Sequence, residues 1–436
     1  MKVLKFGGSS IATVSKMKGV VDLIQTKEKK IIVFSALSGM TNALVEVSDY
    51  LYKKNPDGAN EIINLLEQKY LNLVSELYSV EAYKTQVGDA LKEHFNSIRA
   101  YTKDLFTLFE EKVILSQGEL ISSLLMYFLL KEKNVNAAYI PALDFMRTDK
   151  NSEPDPIYIK EKLHKQLETH PDADVYITQG YICRNAYGEI DNLGRGGSDL
   201  TASLIGAAIQ AEEIQIWTDL DGMQNNDPRY VSSTSPVRNL QFEEAAELAY
   251  FGAKILHPTC ILPAKLNNIP VHLLNTQKPD APGTLISNRL EKGTIKAVAA
   301  KDGITVIKIK SGRMLLAHGF LRKVFEIFEN YQTSIDMIAT SEVGVSVTID
   351  KMRHLSEILD DLKKYGTVTV EENMSIVCVV GDLEWSNLGF ESKAMDALKE
   401  IPVRMISYGG SNYNISFLIK TEDKQQTLQA LSDKLF

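Results

Sequence analysis

The chain has 436 residues, of which 44% are hydrophobic, 24% charged and 8% aromatic, a composition that excludes disordered, collagen-like and fibrous proteins. Lysine and arginine total 48 against 56 aspartate and glutamate, and the net charge of −8 argues against nucleic acid or an anionic membrane as the main partner. At roughly 150 residues per domain, the length predicts about three units.

Three features predict a cytoplasmic protein. The three cysteines, Cys183, Cys260 and Cys378, form no CxxC pair, so neither a disulfide framework nor a zinc site is indicated. The longest apolar run, 121–130, is about half the length of a membrane span and is interpreted as a buried helix. The amino terminus shows no apolar signal-peptide core.

Short apolar strands alternate with helical stretches through the first 290 residues. This alternation predicts a mostly parallel sheet that is covered by helices on both faces. Residues 42–130 have helical spacing and no strand pattern, and we interpret them as a helical insertion or lid. The Pro- and Gly-containing segment 277–284 predicts the end of this domain. The predicted strands are residues 3–6, 31–34, 138–140, 175–178, 214–218 and 271–274.

After residue 300 the pattern becomes an internal repeat of two small α+β modules. MIATSEVGVSVTI, from residue 337, aligns with MISYGGSNYNISFLI, from residue 405. The second copy lacks a closing strand, and we expect the apolar segment 295–300 to supply it. The predicted domains are therefore a catalytic domain at 1–290, a first module at 303–372 and a second module at 294–302 plus 373–436.

The first glycine-rich motif, KFGGSS at residues 5–10, follows a predicted strand. Two glycines let the backbone approach a ligand, and their N–H groups with the next helix N-terminus suit a phosphate. The motif is neither a Walker A loop nor a GxGxxG. A plain strand-to-helix turn with Ser9 or Ser10 as N-cap explains it as well.

The second motif, GRGGSD at residues 194–199, combines an anion-binding loop with one cation and one carboxylate. That set can hold a zwitterion or align a phosphate. Alternatively, Ser198 or Asp199 only caps the following helix.

Four shorter motifs gain meaning from their order along the chain. SALSGMT at residues 35–41 follows a strand and would share the sheet edge where ligands bind in parallel sheets. WTD at 217–219 ends a strand, DPR at 227–229 lies in a turn, and FGAK at 251–254 follows a helix. Alone, each is more typical of a cap, a turn or a solvated charge.

Together with Gln117-Gly118-Glu119 and the tandem tail, these motifs resemble the aspartate kinases of the amino acid kinase family over the whole length. The resemblance implies a three-layer α/β/α sandwich followed by two ferredoxin-like ACT modules. It also implies transfer of the ATP γ-phosphoryl group to the side-chain carboxylate of L-aspartate, the first step of the pathway to lysine, threonine and methionine.

By resemblance, the catalytic residues are Lys5 and Asp199, and Mg²⁺ is held largely by phosphates and water, with no protein ligand named. The implied ATP contacts are Lys5, Gly7, Gly8, Ser9, Thr218, Asp219, Arg229 and Lys254. Gln224 stands where the family commonly has tyrosine. The implied aspartate contacts are Ser35, Ala36, Thr41, Glu119, Arg195 and Ser198, with Arg195 on the α-carboxylate and Glu119 on the α-ammonium.

The ACT tail implies feedback inhibition by an amino acid and assembly as a homodimer or a dimer of dimers. Gly319 at a predicted helix start suits an effector carboxylate, and Asp336 and Glu342 could take two ammonium groups, which favours lysine over threonine. Alternatively, both acids face water. The predicted effector residues are Met314, Gly319, Phe320, Leu321, Asp336, Thr340, Ser341 and Glu342.

Two other functions stay open from the sequence. A kinase of glutamate, N-acetylglutamate, carbamate or UMP shares the sheet and the glycine-rich opening, although such relatives generally lack the ACT tail. A non-catalytic amino-acid sensor with a decayed kinase domain is the second, against which the intact Lys5, Arg195, Asp199 and Lys254 argue.

Overall fold

The computed structural model describes residues 1–25, 28–103, 105–252, 258–312 and 318–436. The chain forms two compact units. The catalytic unit comprises Met1–Met223, Arg238–Phe242 and Leu256–Arg289, and the C-terminal unit comprises Gln224–Val237, Glu243–Ile255 and Leu290–Phe436.

A mainly parallel sheet forms the centre of the catalytic unit. Its strand order is β3-β4-β2-β1-β7-β9-β10-β8, and the first six strands run parallel. β10 is antiparallel to β9, and β5 and β6 form a separate hairpin. The strands are β1 (Lys2–Phe6), β2 (Lys30–Phe34), β3 (Ala137–Tyr139), β4 (Val175–Gln179), β5 (Ile182–Arg184), β6 (Ile190–Asn192), β7 (Ile214–Thr218), β8 (Asn239–Gln241), β9 (Val271–Asn275) and β10 (Thr284–Ser287).

Helices cover both faces of this sheet. Leu4, Phe6 and Phe34 share one buried cluster with the helices of residues 14–132, and alternate residues such as Val3 and Ile31 point to the opposite face. The predicted α/β fold is thus confirmed. The helices are α1 (Val14–Ile24), α2 (Met40–Tyr52), α3 (Pro56–Leu77), α4 (Glu81–Ala100), α5 (Leu108–Glu132), α6 (Ala142–Phe145), α7 (Pro156–Glu168), α8 (Gly197–Ile209), α9 (Phe242–Tyr250) and α10 (Leu262–Leu266).

The segment predicted as a helical insertion consists of α2 to α5. α5 is long and apolar enough to cross a membrane by length and composition, but 72% of its most apolar 18-residue window is buried inside the fold. Its serines confirm a core helix, since Ser122 Oγ donates to the Glu119 carbonyl and Ser123 Oγ accepts from Gln179 Nε2 at 2.8 Å.

The C-terminal unit contains one six-stranded antiparallel sheet of order β12-β13-β11-β14-β16-β15. Residues 295–301 of β11 pair with 376–381 of β14, which is where the sequence predicted the closing strand, and residues 305–310 pair with β13. Two short 3-10 turns, Gly8–Ile11 and Pro258–Ile261, belong to the catalytic part of the chain, and a third, Thr421–Asp423, precedes α14. The remaining elements are β11 (Ile295–Lys310), β12 (Ile338–Ser341), β13 (Gly344–Ile349), β14 (Thr367–Gly381), β15 (Met405–Ser407), β16 (Asn414–Lys420), α11 (Phe320–Asn330), α12 (Leu355–Lys363), α13 (Phe390–Ala397) and α14 (Lys424–Leu435).

The structure differs from the sequence expectation in the length of two strands. The predicted modules meet at residues 302/303 and 372/373, whereas β11 and β14 each continue through these positions. The turn-forming Gly303 (φ +75°) and Asn373 (φ +58°) lie at an irregularity of the β11–β14 ladder, where the register shifts between Lys301 and Ile304. The two residues therefore lie in a β-bulge within continuous strands.

Candidate active site

The loops that follow neighbouring strands meet at the carboxyl edge of the parallel sheet. Gly7 N donates to Trp217 O at 3.2 Å, Ser35 N to Phe6 O at 3.2 Å and Gly180 N to Phe34 O at 2.9 Å. Each loop is thus hydrogen-bonded to the end of an adjacent strand. This edge is where ligands bind in open parallel sheets.

The two loops after β1 and β2 are in close contact. A Cβ atom placed on Gly8 would lie 2.4 Å from Ala36 O, so this position requires glycine. The side chains of Ser9 and Ser10 cap no helix, because α1 begins only at Val14 and its N-cap is Thr13. The alternative explanation of the KFGGSS motif as an N-cap is therefore wrong.

An ion pair joins the first and second glycine-rich motifs. Lys5 Nζ lies 2.5 Å from Asp199 Oδ1, and each side chain is only 11% exposed. The N-cap of α8 is Gly196, with φ +72° and no side-chain cap, so neither Ser198 nor Asp199 caps this helix. The Asp199 carboxylate instead holds the ammonium group that ends β1.

Glu119 is a buried acid at this edge whose pKa is strongly shifted. It lies on α5 beside Gly118, whose α-carbon packs close to Ala36. Burial raises the pKa of Glu119 to about 8, although a hydrogen bond from the Ala36 backbone and the charge of Lys5 lower it. Glu119 is 5% exposed, and its Oε2 atom has no hydrogen-bond partner in the described part of the chain. A buried carboxylate oxygen without a partner is a position for a ligand cation.

The remaining predicted aspartate contacts differ in exposure. Arg195 and Thr41 are exposed, Ser35 is half-buried, and Ser198 is buried. A Cβ atom on Gly180 would lie 2.5 Å from the Ser198 Cβ, so the start of α8 packs directly on the loop after β4. The structure thus brings Ser198 and Asp199 to the same edge as Lys5.

Tyr181 is a residue of this edge that the sequence analysis missed. Its φ of +67° is unusual for an aromatic residue, and its backbone N donates to Thr201 Oγ1 at 3.1 Å. Burial raises the pKa of Tyr181 to about 12, and Glu119 is the largest of the neighbouring charges that add to this effect. The only signal in the sequence was its position shortly after a predicted strand, two residues beyond the end of β4.

The ends of β7 and β9 are linked to the first loop through hydroxyl groups. Ser10 Oγ lies 2.8 Å from Thr276 Oγ1, which in turn bonds Thr218 O at 2.6 Å. Thr218 Oγ1 bonds the exposed Asp219 at 3.1 Å. Thr276 was not predicted, because a single threonine after a strand carries no distinctive pattern.

Two predicted ATP contacts lie outside the catalytic unit or the described residues. Arg229 belongs to the C-terminal unit, where its Nη2 lies 2.6 Å from Asp227 Oδ2 and its side chain is 64% exposed. Lys254 lies outside the described residues.

Comparison with known proteins identifies the family and the fold. Residues 1–275 match the model of the amino acid kinase family, and residues 377–435 match that of the ACT domain. The chain belongs to the amino acid kinase family. Its relatives include the lysine-sensitive aspartokinase 3 of Escherichia coli, 34% identical over all of this chain and 99% of that protein, and the chloroplastic aspartokinase 1 of Arabidopsis thaliana, 34% identical over all of this chain and 80% of that protein.

Two solved structures of an aspartokinase match this amino acid kinase over its whole length. E. coli aspartokinase III in complex with aspartate and ADP, in the R-state, superposes with a TM-score of 0.87 at 32% identity and full coverage of both chains. The T-state complex with lysine and aspartate gives 0.82 at 33% identity, covering all of this chain and 99% of that chain. The predicted family and class of enzyme, an aspartate kinase, are confirmed.

The candidate effector residues lie in the C-terminal unit of this amino acid kinase. Gly319 is the N-cap of α11 with φ +83°, Phe320 is buried and Leu321 is 36% exposed. Thr340, Ser341 and Glu342 are exposed at the β12–β13 turn, as the water-facing alternative expects for Glu342. Met314 lies outside the described residues.

Asp336 is buried, so the alternative in which both acids face water is wrong for this residue. Its side chain is 1% exposed, and its Oδ1 accepts from Lys301 Nζ at 2.7 Å and from Tyr250 OH at 2.6 Å. Lys301 Nζ also lies 3.0 Å from Asp350 Oδ2. Asp336 therefore already has a cationic partner in the free protein.

Proposed function

We propose that this chain transfers the γ-phosphoryl group of ATP to the side-chain carboxylate of L-aspartate. The buried Glu119 carboxylate supports this substrate most directly, because its partnerless oxygen would be satisfied by the α-ammonium group of a free amino acid. A substrate without that ammonium group would leave the oxygen unsatisfied. The complex of an E. coli relative with aspartate and ADP is consistent with both substrates.

The reaction needs charge neutralisation more than proton transfer. A carboxylate whose ordinary pKa is about 3.9 is already ionised at pH 7, so no general base is required. Two anions must instead approach each other, which makes positioning and electrostatic stabilisation the main contributions. Lys5, at the end of β1, is the cation that we assign to the transferred phosphoryl group, and Asp199 holds its ammonium in place at 2.5 Å.

The glycine-rich loops supply the remaining contacts. We assign the backbone N–H groups of Gly7 and Gly8 and the hydroxyl of Ser9 to the phosphates, and Thr218, Asp219, Arg229 and Lys254 to the nucleotide. The substrate α-carboxylate is assigned to the exposed Arg195, which can bind it through two hydrogen bonds, and the buried Ser198 at the start of α8 is assigned to the aspartate pocket.

We assign the rest of the aspartate pocket to two residues of the loop after β2 and one in the first turn of α2. These are Ser35, Ala36 and Thr41, and the close approach of Gly118 and Gly8 to Ala36 fixes this loop against both α5 and the first glycine-rich loop.

A Mg²⁺ ion fits this site as part of the nucleotide complex. No group of three or more His, Cys, Asp or Glu side chains in the described ranges could hold a metal ion by itself. Asp199 is the carboxylate that lies beside Lys5, and Mg²⁺ typically keeps its waters and binds through substrate phosphates and one or two carboxylates. When bound, the ion would neutralise phosphate charge.

We further propose feedback inhibition by lysine through the C-terminal unit, and assembly as a homodimer or dimer of dimers. The E. coli relative is named lysine-sensitive and has been solved with lysine. Asp336 and Glu342 are the acids assigned to the two ammonium groups, and Gly319 to the carboxylate. β12 and β15 are the edge strands of the C-terminal sheet and each exposes an isoleucine, Ile338 and Ile406, which suits pairing between copies.

The proposed activity places the enzyme at the first step of the cytoplasmic pathway to lysine, threonine and methionine. A hydroxamate assay with ATP and L-aspartate tests it, with L-glutamate and N-acetyl-L-aspartate as comparison substrates. Product from aspartate alone supports the proposal, and equal product from the N-acetylated substrate would contradict the role of Glu119. Repeating the assay with lysine or threonine tests the effector, and inhibition by threonine but not lysine would contradict that part.

A further inference from the structure

The segment 224–237, which carries the DPR motif, is built into the C-terminal unit. Val231 is fully buried in a cluster with Val298, Phe417 and Leu428, which come from β11, β16 and α14. The motif residues are close in sequence to β7 of the catalytic sheet, yet their hydrophobic anchor lies in the ACT tail. The position of this segment therefore depends on the tail.

Buried hydrogen bonds attach the same segment to the tail. Val298 N donates to Asn225 O at 2.8 Å, and Asn226 Nδ2 donates to Leu428 O at 3.0 Å. Asn225 also closes the segment on itself, since its Oδ1 accepts from Ser235 N at 2.8 Å. Both asparagines are less than one-tenth exposed, so their polar atoms need these partners.

Lys424 binds the segment at Tyr230, the residue after Arg229. Its Nζ donates to Tyr230 OH at 2.7 Å, lies 4.0 Å from the centre of the Tyr230 ring, and pairs with Asp302 Oδ2 at 2.5 Å. Asp302 is held in turn by Ser375 Oγ of β14 at 2.7 Å. This chain of contacts connects the residue that follows Arg229 to the central strands of the C-terminal sheet.

Stability alone does not explain a lysine at this position. Lys424 is the first residue of α14, where the helix dipole disfavours a cation, and its side chain is only 9% exposed. Burial alone would lower the pKa of Lys424, but the hydrogen bonds with Asp302 and Tyr230 raise it, so the group stays charged. Its partner Asp302 is 47% exposed, and an ion pair that water reaches on one side contributes little to stability.

We propose that Lys424 is a positioning residue for the nucleotide, acting through Tyr230 on the neighbouring Arg229. The inference rests on the proposed role of Arg229 as a nucleotide contact. Asp227 holds the Arg229 guanidinium through Nε and Nη2 and its backbone N at 2.9 Å, so the orientation of the arginine follows the segment as a whole. Without the contacts of Lys424, the segment 224–237 would have to become ordered when ADP or ATP binds, which lowers the affinity for the nucleotide.

The test compares Lys424→Met with Lys424→Arg and with Lys434→Met in the full-length protein. Lys434 is a matched control, because it lies on the same helix and pairs with Asp396 at 2.5 Å but is 48% exposed. We measure ADP affinity by calorimetry, the KM values for ATP and aspartate, and hydrogen–deuterium exchange of residues 224–237.

For Lys424→Met we expect ADP affinity to fall and the KM for ATP to rise about three- to tenfold, as when a binding segment must be ordered by its ligand. The KM for aspartate and kcat stay within about twofold of wild type, exchange in 224–237 becomes faster, and Lys424→Arg restores part of the affinity.

The proposal is overturned if Lys424→Met matches Lys434→Met in ADP affinity. It is also overturned if the KM for ATP rises and kcat and the KM for aspartate both change by more than about twofold with it. Such a general change is the pattern of a structural defect. A wild-type protein that binds ADP but forms no aspartyl phosphate contradicts the proposed function, and the calorimetric comparison still decides the role of Lys424.

Discussion

Replacing Glu119 by glutamine separates the charge of this buried acid from its shape. The glutamine carbonyl can still accept the hydrogen bond from the Ala36 backbone, while the negative charge is lost. The pKa of Glu119 in the free protein, about 8, lies above the ordinary value of 4.5. The folded state therefore binds more protons than the unfolded state between these two pH values.

The effect on stability follows from that difference. The contribution of Glu119 is fully present below pH 4.5 and is lost as the pH rises towards 8. A pKa change of one corresponds to about 1.4 kcal/mol, so the complete loss is about 5 kcal/mol. We expect Glu119→Gln to match the wild type at pH 4.5 and to become progressively more stable than it up to pH 8.5.

The effect on binding has the opposite direction. An ammonium ligand binds the ionised form, so aspartate binding to the wild type releases a proton below pH 8, and its KM rises by up to about tenfold for each pH decrease of one. Removing one partner of a buried charge pair typically costs about 3–5 kcal/mol, so Glu119→Gln should weaken aspartate binding by at least about 10².

Two assays measure these quantities. Urea unfolding is followed by the fluorescence of Trp217 in a Trp385→Phe background, because these are the two tryptophans and only Trp217 lies in the catalytic unit. The KM for aspartate is measured from pH 6 to 8.5, and calorimetry in buffers of different ionisation enthalpy counts the released protons. A KM that is constant over this range, or a Glu119→Gln variant that binds aspartate like the wild type, would refute the assignment.

Three further predictions concern other parts of the structure. Lys5→Ala and Asp199→Ala should each lose about 10²–10³ in kcat while remaining folded, and turnover close to wild type in either variant would contradict the catalytic assignment. Gly8→Ala should lose more than about tenfold in activity, because its Cβ would lie 2.4 Å from Ala36 O. The control is Gly19→Ala on α1, where the space is open. It should keep its activity and gain up to about 1 kcal/mol of stability. Tyr250→Phe should lower the half-inhibitory lysine concentration about fivefold, because Asp336 loses a hydrogen-bond donor that competes with the effector, and an unchanged inhibition curve would contradict this.

The sequence predicted the parallel strands because their residues are buried on both faces and form short continuous apolar runs. β5, β6, β8 and β10 were missed, since each has only three or four residues and lacks such a run. The repeat pattern also divided the tail at residues 302/303, where the structure has a bulge within the continuous strand β11.

The candidate site was predictable where several motifs agree and unpredictable where contacts are long-range. Lys5 and Asp199 were named from their motifs, but the ion pair between them, 194 positions apart, required the fold. The engagement of Asp336 by Lys301 and Tyr250 and the anchoring of the DPR segment by Lys424 likewise join residues distant in the chain. The domain boundaries stay a prediction, because the compact units are discontinuous in sequence.

The two long strands β11 and β14 restrict how this tail can evolve or be exchanged. Each strand contributes to both repeats, so a cut after residue 372 would divide β14 and leave the first half of β11 without its partner. A hybrid enzyme that takes only one repeat from a relative would have to match a foreign strand along this ladder. Transplants of effector specificity should therefore succeed when both repeats move as one block and fail when they are separated.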